Sequence, residues 1–195
     1  SNTTGRNNTA NGYEALRSNT TGDENTANGY EALRSNTTGR SNIANGRAAL
    51  YSNTTGNRNT ANGNEALYSN TTGYRNTANG NEALYSNTTG NYNTANGYGT
   101  LYSNTIGSYN TALGVGADVS LNNLRYATVI GFGATVTASQ RVRIGNSSVV
   151  RIGGNVAWTN LSDGRIKENV QEAVPGLSFI SELRPVTYTL NTRKQ

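Results

Sequence analysis

Regular apolar positions are sparse in this chain and recur with a fixed period. An alanine returns at one constant interval (Ala10, Ala27, Ala44, Ala61, Ala78, Ala95), and a second alanine follows each of them five positions later, replaced once by Thr100. A leucine comes next (Leu16, Leu33, Leu50, Leu67, Leu84, Leu101). The units begin at Ser1, Ser18, Ser35, Ser52, Ser69, Ser86 and Ser103 without insertion, with Asn-Thr at positions two and three and Gly at positions five and twelve of all seven. In the seventh unit Asp118 replaces the leucine and the pattern dissolves. A strict short period marks a repeat architecture. Two glycines per unit, with many Asn and Thr, argue against helix interiors. Each unit instead holds two short segments, "SNTTG" and "NTANG", both closed by Gly. Short strands returning at fixed phase predict an all-β parallel solenoid, or β-roll, of 17-residue coils over residues 1–112. At about 4.8 Å per coil, seven coils give a rod on the order of 35 Å long.

Three small apolar residues per coil offset little of the entropy of ordering the whole unit. The alanines and leucines above are therefore expected to form a core that three chains pool around a shared axis, making the protein a homotrimer. In-register Asn can add side-chain amide ladders, and Asn and Gly can supply left-handed corners.

Composition agrees with a polar scaffold. Of 195 residues 33% are hydrophobic and 14% charged, with two prolines and a net charge of +5, which is neither the high charge of a disordered chain nor a linker composition. Absence of Cys and His removes disulfides, thiolate or imidazole metal sites and any Ser-His-Asp triad, so no metal and no cofactor is expected. No apolar run reaches the length of a membrane span. The chain starts in mid-pattern at Ser1, as a piece of a longer protein would. Basic residues number seven against six acidic ones in residues 1–112, and nine against five in 113–195. Arg141, Arg143 and Arg151 alternate with Val142, Ile144, Val150 and Ile152 in segments that read as short strands. Without stacking aromatics beside them, they point to a solvated face or inter-chain ion pairs, not to nucleic acid. Residues 113–161 thus read as a degenerate roll and neck. Residues 162–195 read as a small mixed segment, with a short helix after Asn169 that Pro185 ends, then a strand.

"NTANG", with its later forms "NTALGVGA" (110–117) and "YATVIGFGATVTAS" (126–139), resembles the head repeats of trimeric autotransporter adhesins and of phage and bacterial tail fibres. That resemblance implies three chains in a left-handed parallel β-roll with small apolar residues toward the axis. "SDGRIKENVQEAVPGLSFISELRPVTYTLN" (162–191) is similar to the start of the endosialidase-type intramolecular chaperone, a module that trimerises fibres and cuts itself off. On the matching residues Ser162, Asp163, Arg165 and Lys167, it implies cleavage at the Ser162–Asp163 junction with Ser162 and Lys167 as the dyad. Chemically, a Lys of lowered pKa can activate a Ser where no His is present. The sequence ends at Gln195, so the body of that module is missing from it.

Variable positions six, seven, thirteen, fourteen and seventeen carry the Tyr, Arg and Glu side chains. Position seventeen runs Arg17, Arg34, Tyr51, Tyr68, Tyr85, Tyr102, an outward stripe that can bind a host-surface glycan or protein, or can simply stack and stiffen the rod. Three functions compete: an extracellular, cell-surface or virion fibre shaft; an ice-binding solenoid displaying the Thr3–Thr88 and Thr4–Thr89 rows; and an enzyme. Glu14, Glu31, Glu65 and Glu82 share one coil position, and a ladder of like acids is not the facing pair a glycosidase needs, so no turnover chemistry is expected. "NTT" fits the N-glycosylation pattern by composition alone, and the coils lack the repeated Asp of calcium-binding rolls.

Overall fold

Residues 2–153 are described by the structure, a computed structural model. The chain divides into a unit over Ser1–Ile152 and a second over Gly153–Gln195. Along it run eleven short strands: β1 (Thr9–Asn11), β2 (Thr26–Asn28), β3 (Ile43–Asn45), β4 (Thr60–Asn62), β5 (Thr77–Asn79), β6 (Thr94–Asn96), β7 (Thr111–Leu113), β8 (Asp118–Val119), β9 (Thr128–Ile130), β10 (Thr135–Val136) and β11 (Val142–Ile144). Nine of them form one parallel sheet in the order β1 to β7, then β9 and β11, while β8 and β10 pair in a small second sheet. The fold is an all-β parallel solenoid. Its register advances by one full sequence repeat at every step from β1 (Thr9↔Thr26) through β9 (Thr111↔Thr128), so the degenerate stretch after residue 112 continues the same stack. Only the last step, Thr128↔Val142, is shorter than the repeat.

Of the two segments expected as strands, "NTANG" supplies the sheet and "SNTTG" does not. There the backbone folds three successive N–H groups around one carbonyl of the next coil. Thr54 O accepts from Thr37 N–H (3.0 Å), Thr38 N–H (3.2 Å) and Gly39 N–H (3.3 Å), and also from the Thr37 hydroxyl (3.0 Å). The same arrangement recurs from Thr3 to Thr105, with two N–H groups in place of three in the coil of Thr88.

Each coil interior is closed by amides as well as by apolar groups. Position two donates up the stack and to its own turn: Asn36 Nδ2 reaches Asn19 Oδ1 at 2.8 Å and Gly39 O at 3.0 Å. Position eight does the same across the coil, with Asn42 Nδ2 meeting Asn25 Oδ1 at 3.1 Å and Gly56 O at 2.8 Å. Asn36, Asn42, Asn53 and Asn59 are fully enclosed, beside equally enclosed Leu33, Leu50, Ala27 and Ala44. No buried side-chain N or O among the described residues lacks a partner. The reasoning that Leu and Ala must be pooled between chains is therefore corrected. It left asparagine out of the core, whereas two asparagines per coil complete the core within one chain.

Corners use the expected Gly, at positive φ at position twelve of all seven coils as in Gly63 (146°), and also residues other than Asn and Gly. Positions seven, fourteen and sixteen adopt left-handed φ, as in Arg58 (56°), Glu65 (57°) and Leu67 (53°). Bonds from Ala15 N–H to Gly12 O (3.3 Å) and Arg17 N–H to Glu14 O (3.2 Å) close two consecutive turns, each with its third residue at positive φ, as type II turns require. None of the non-glycine residues with positive φ is β-branched. That is why position sixteen is Leu and never Ile or Val: a branched Cβ clashes in the left-handed region. Glycine at position five has another reason, since a Cβ on Gly56 would run into the Gly73 carbonyl and Asn53 Oδ1.

At the last step neither Val142 nor Arg143 is buried. Val142 pairs with Thr128 and stands 69% exposed, while Arg143 pairs with Val129. The glycine corner fixes this phase, Gly145 N–H bonding Ile130 O at 2.7 Å, and the apolar alternation does not. Val150 and Ile152 lie in no strand. The short helix and strand expected after Asn169 lie outside the described residues.

Replacing Leu67 (φ 53°) by isosteric Ile tests the corner directly. The Ile variant is expected to lose about 3 kcal/mol of unfolding free energy in a urea titration, against about 1 kcal/mol for Leu67→Met. Equal losses would contradict this reading of the corner.

Candidate functional site

With Asn, Ala and Leu inside, the outward columns carry whatever chemistry this unit has. In the position-seventeen column Tyr51, Tyr68, Tyr85 and Tyr102 stack at centroid spacings of 5.0, 5.2 and 5.1 Å with interplanar angles of 5–7°. Arg34 covers the open end, its Cζ 5.4 Å from the Tyr51 centroid and Nη1 donating to the Tyr51 hydroxyl at 2.8 Å. The ring faces of the expected binding stripe thus cover one another and leave mainly edges outward. Tyr92, Tyr109 and Tyr126 form a second stack at 5.0 and 4.9 Å.

Charges pair between columns. Glu14 accepts from Arg34 Nε at 2.6 Å and Arg17 Nη1 at 2.9 Å. The Arg34 hydrogen bond, helped by Arg17, holds the Glu14 carboxyl below the usual carboxylate range, so this pairing is present at neutral pH and is lost as acid protonates the group. Arg47 meets Glu65 at 2.6 Å and Arg40 meets Asp23 at 3.6 Å. Asp118, at the leucine position of the seventh coil, is pushed above its ordinary value by burial, which outweighs the N–H groups of Val119 (2.8 Å) and Ser103 (3.1 Å) that it accepts. A raised carboxyl opposes folding while ionised, so its cost falls as the pH drops through its folded value.

Two threonine rows were expected at the surface, and they differ. Hydroxyls of the Thr3–Thr88 row are committed to carbonyls of the next coil. The Thr4–Thr89 row is exposed. A third pair of columns, which sequence reasoning passed over, lies on the outer face of the sheet. Because Ala is buried in the Thr-Ala-Asn strands from β2 on, while Ala10 of β1, expected in the core, is exposed, Thr (Thr9 to Thr128, with Ile43 once) and Asn (Asn11 to Asn96, then Leu113 and Ile130) point outward. Their alternation around alanine was the available signal. The asparagines bond along the stack, Asn45 Nδ2 to Asn62 Oδ1 at 2.9 Å, and no residue in either column is charged.

One open groove, about 520 Å³ in volume, lies along positions six and seven between Asp23 and Arg75. Among the described residues no group of three or more His, Cys, Asp or Glu could hold a metal, and no helix is long and apolar enough to cross a membrane. Ser162, Asp163 and Lys167, the residues named for self-cleavage, lie outside the described residues. No protein-family model matches the chain, and the search of curated proteins found no match.

Proposed function

We propose that this chain is the shaft of a fibre displayed on a cell surface, appendage or phage particle. The observation that carries the reading is the sameness of the joint between coils. The strand N–H to carbonyl bonds made by Thr9, Thr26, Ile43, Thr60, Thr77, Thr94 and Thr111 all measure 2.8–2.9 Å. A stack with identical joints gains length by adding units, each contacting only its neighbours, which is what a spacer needs. The homotrimer belongs to this reading through the segment similar to the intramolecular chaperone, since Leu and Ala are enclosed within one chain. Cleavage at Ser162–Asp163 would then be a single maturation event. An antibody raised against the repeat should label intact source cells or particles from outside, and the purified chain should show three times its 20.6 kDa in light scattering. Label seen only after lysis would overturn the fibre reading. A mass of one chain would overturn its trimeric form.

A second reading is favoured by the sheet's outer face. Its threonine hydroxyls make no hydrogen bond to the described residues from Thr26 to Thr94, and they repeat at about 4.8 Å along the stack. An uncharged lattice of hydroxyls and methyls can order water as an ice surface does. On this reading the chain shows thermal hysteresis, and Thr77→Lys, which places a charge on an outward position, abolishes it without changing the melting temperature. Absence of hysteresis in the unaltered chain would end this reading.

A further inference from the structure

In a stack of coils a charge repeated in one column faces its own copy at about 4.8 Å, and like charges directly opposite are destabilising unless something intervenes. Carboxylates do so for Arg17, Arg34, Arg40 and Arg47. Position seven of the fourth and fifth coils is different, because Arg58 and Arg75 follow each other there with no carboxylate partner among the described residues. The Arg58 side chain makes no hydrogen bond to the described residues. The Arg75 side chain donates from Nη1 to the Tyr92 hydroxyl at 2.6 Å, with Cζ 5.2 Å from its ring centroid.

Arg58 and Arg75 both line the groove of about 520 Å³, a volume within the range of small-ligand sites. Tyr74 stands beside them, 40% exposed. Its only ring neighbour among the described residues is Tyr92, edge-on at 5.3 Å, so no ring is stacked on its face, unlike Tyr68 and Tyr85. At the opposite end the acids are already engaged. Asp23 accepts from the Arg6 N–H at 2.8 Å and pairs with Arg40, and Glu24 accepts from the Ser41 hydroxyl at 3.0 Å. The groove therefore offers a cationic pole, an open aromatic ring and an acidic pole that accepts hydroxyl donors and repels a second anion.

We propose that this groove binds one anionic sugar unit of a polysaccharide, with its carboxylate or sulfate between Arg58 and Arg75. Paired guanidiniums suit such an oxyanion because each presents a planar fork of donors. The pyranose ring packs on Tyr74. This site stands independently of the shaft reading, since the bond from Arg75 to Tyr92 is the one hydrogen bond between coils that these two side chains make among the described residues.

Calorimetric titration of the whole chain with three oligosaccharides of equal length tests it: one bearing glucuronate, one bearing sulfate esters, and a neutral glucose oligomer. The proposal requires binding of at least one acidic oligosaccharide and none of the neutral one. Whichever acidic probe binds identifies the anion. The double variant Arg58→Gln/Arg75→Gln should weaken that binding at least tenfold, while Arg125→Gln, an exposed arginine in another part of the stack, leaves it unchanged. Folding should survive, because position seven already carries Asn, Glu, Ser and Tyr in other coils at the same positive φ. Failure of both acidic probes, equal binding of the neutral one, or undiminished binding by the double variant would each overturn the proposal.

Discussion

Every other feature of this solenoid depends on an asparagine amide that cannot shift. Asn59 shows why. Its Nδ2 donates to Asn42 Oδ1 at 3.2 Å and to Gly73 O at 2.8 Å, while its Oδ1 accepts from Asn76 N–H at 3.0 Å and Asn76 Nδ2 at 3.2 Å. All its side-chain polar atoms are engaged inside a core from which water is excluded, and a slip of one residue would strand all of them. Coil length is therefore held constant, because a longer or shorter unit would put a different side chain where the amide must be. Position-five glycine follows from the same contact, since its carbonyl is the acceptor that the amide approaches.

This constraint separates the inside of the stack from its outside. Inward positions hardly vary, and their closure within one chain leaves the outward columns free to carry different chemistry along one scaffold. The sheet face is neutral and regular. The position-seventeen column passes from arginine to tyrosine with Arg34 bridging the change, bonded to Glu14 on one side and Tyr51 on the other. Positions six and seven pass from acid at Asp23 and Glu24 to base at Arg58 and Arg75, and that change of sign makes the groove. Binding specificity on such a rod is a matter of where along the stack a column changes its residue.

Much of the fold was legible from spacing, and the misses share one cause. The period, the parallel strands and the Thr-Ala-Asn segment follow from residues recurring at fixed offsets. Asn19 and Asn25 were read as ladder formers and left out of the core, yet stacking in register lets identical amides satisfy one another and go inside. Once they are inside, the apparent shortage of core disappears, and with it the argument that Leu33 and Ala27 needed neighbouring chains. Propensity also misled at the corners, where Glu65 and Leu67 take the left-handed φ expected of Asn and Gly because the bonds to neighbouring coils over-determine it. For the site, the tyrosine stripe was visible in sequence, but mutual stacking at 5.0–5.2 Å removes its faces, while Tyr74 gained interest only once its neighbours were known.

The most direct test compares two asparagines of the same coil, Asn59 in the buried column and Asn62 in the outer one, by urea unfolding of Asn59→Ala and Asn62→Ala. Both belong to ladders, but only Asn59 is enclosed, with Asn62 half-exposed and bonded to Asn45 and Asn79 at 2.9 Å. Truncating Asn59 leaves the Asn76 backbone N–H unpaired in the core and the Gly73 carbonyl with Asn70 Nδ2 as its remaining donor, and should cost about 3 kcal/mol, whereas Asn62→Ala should cost about 1 kcal/mol or less. Similar small losses for both would contradict the claim that buried amide ladders hold this fold together.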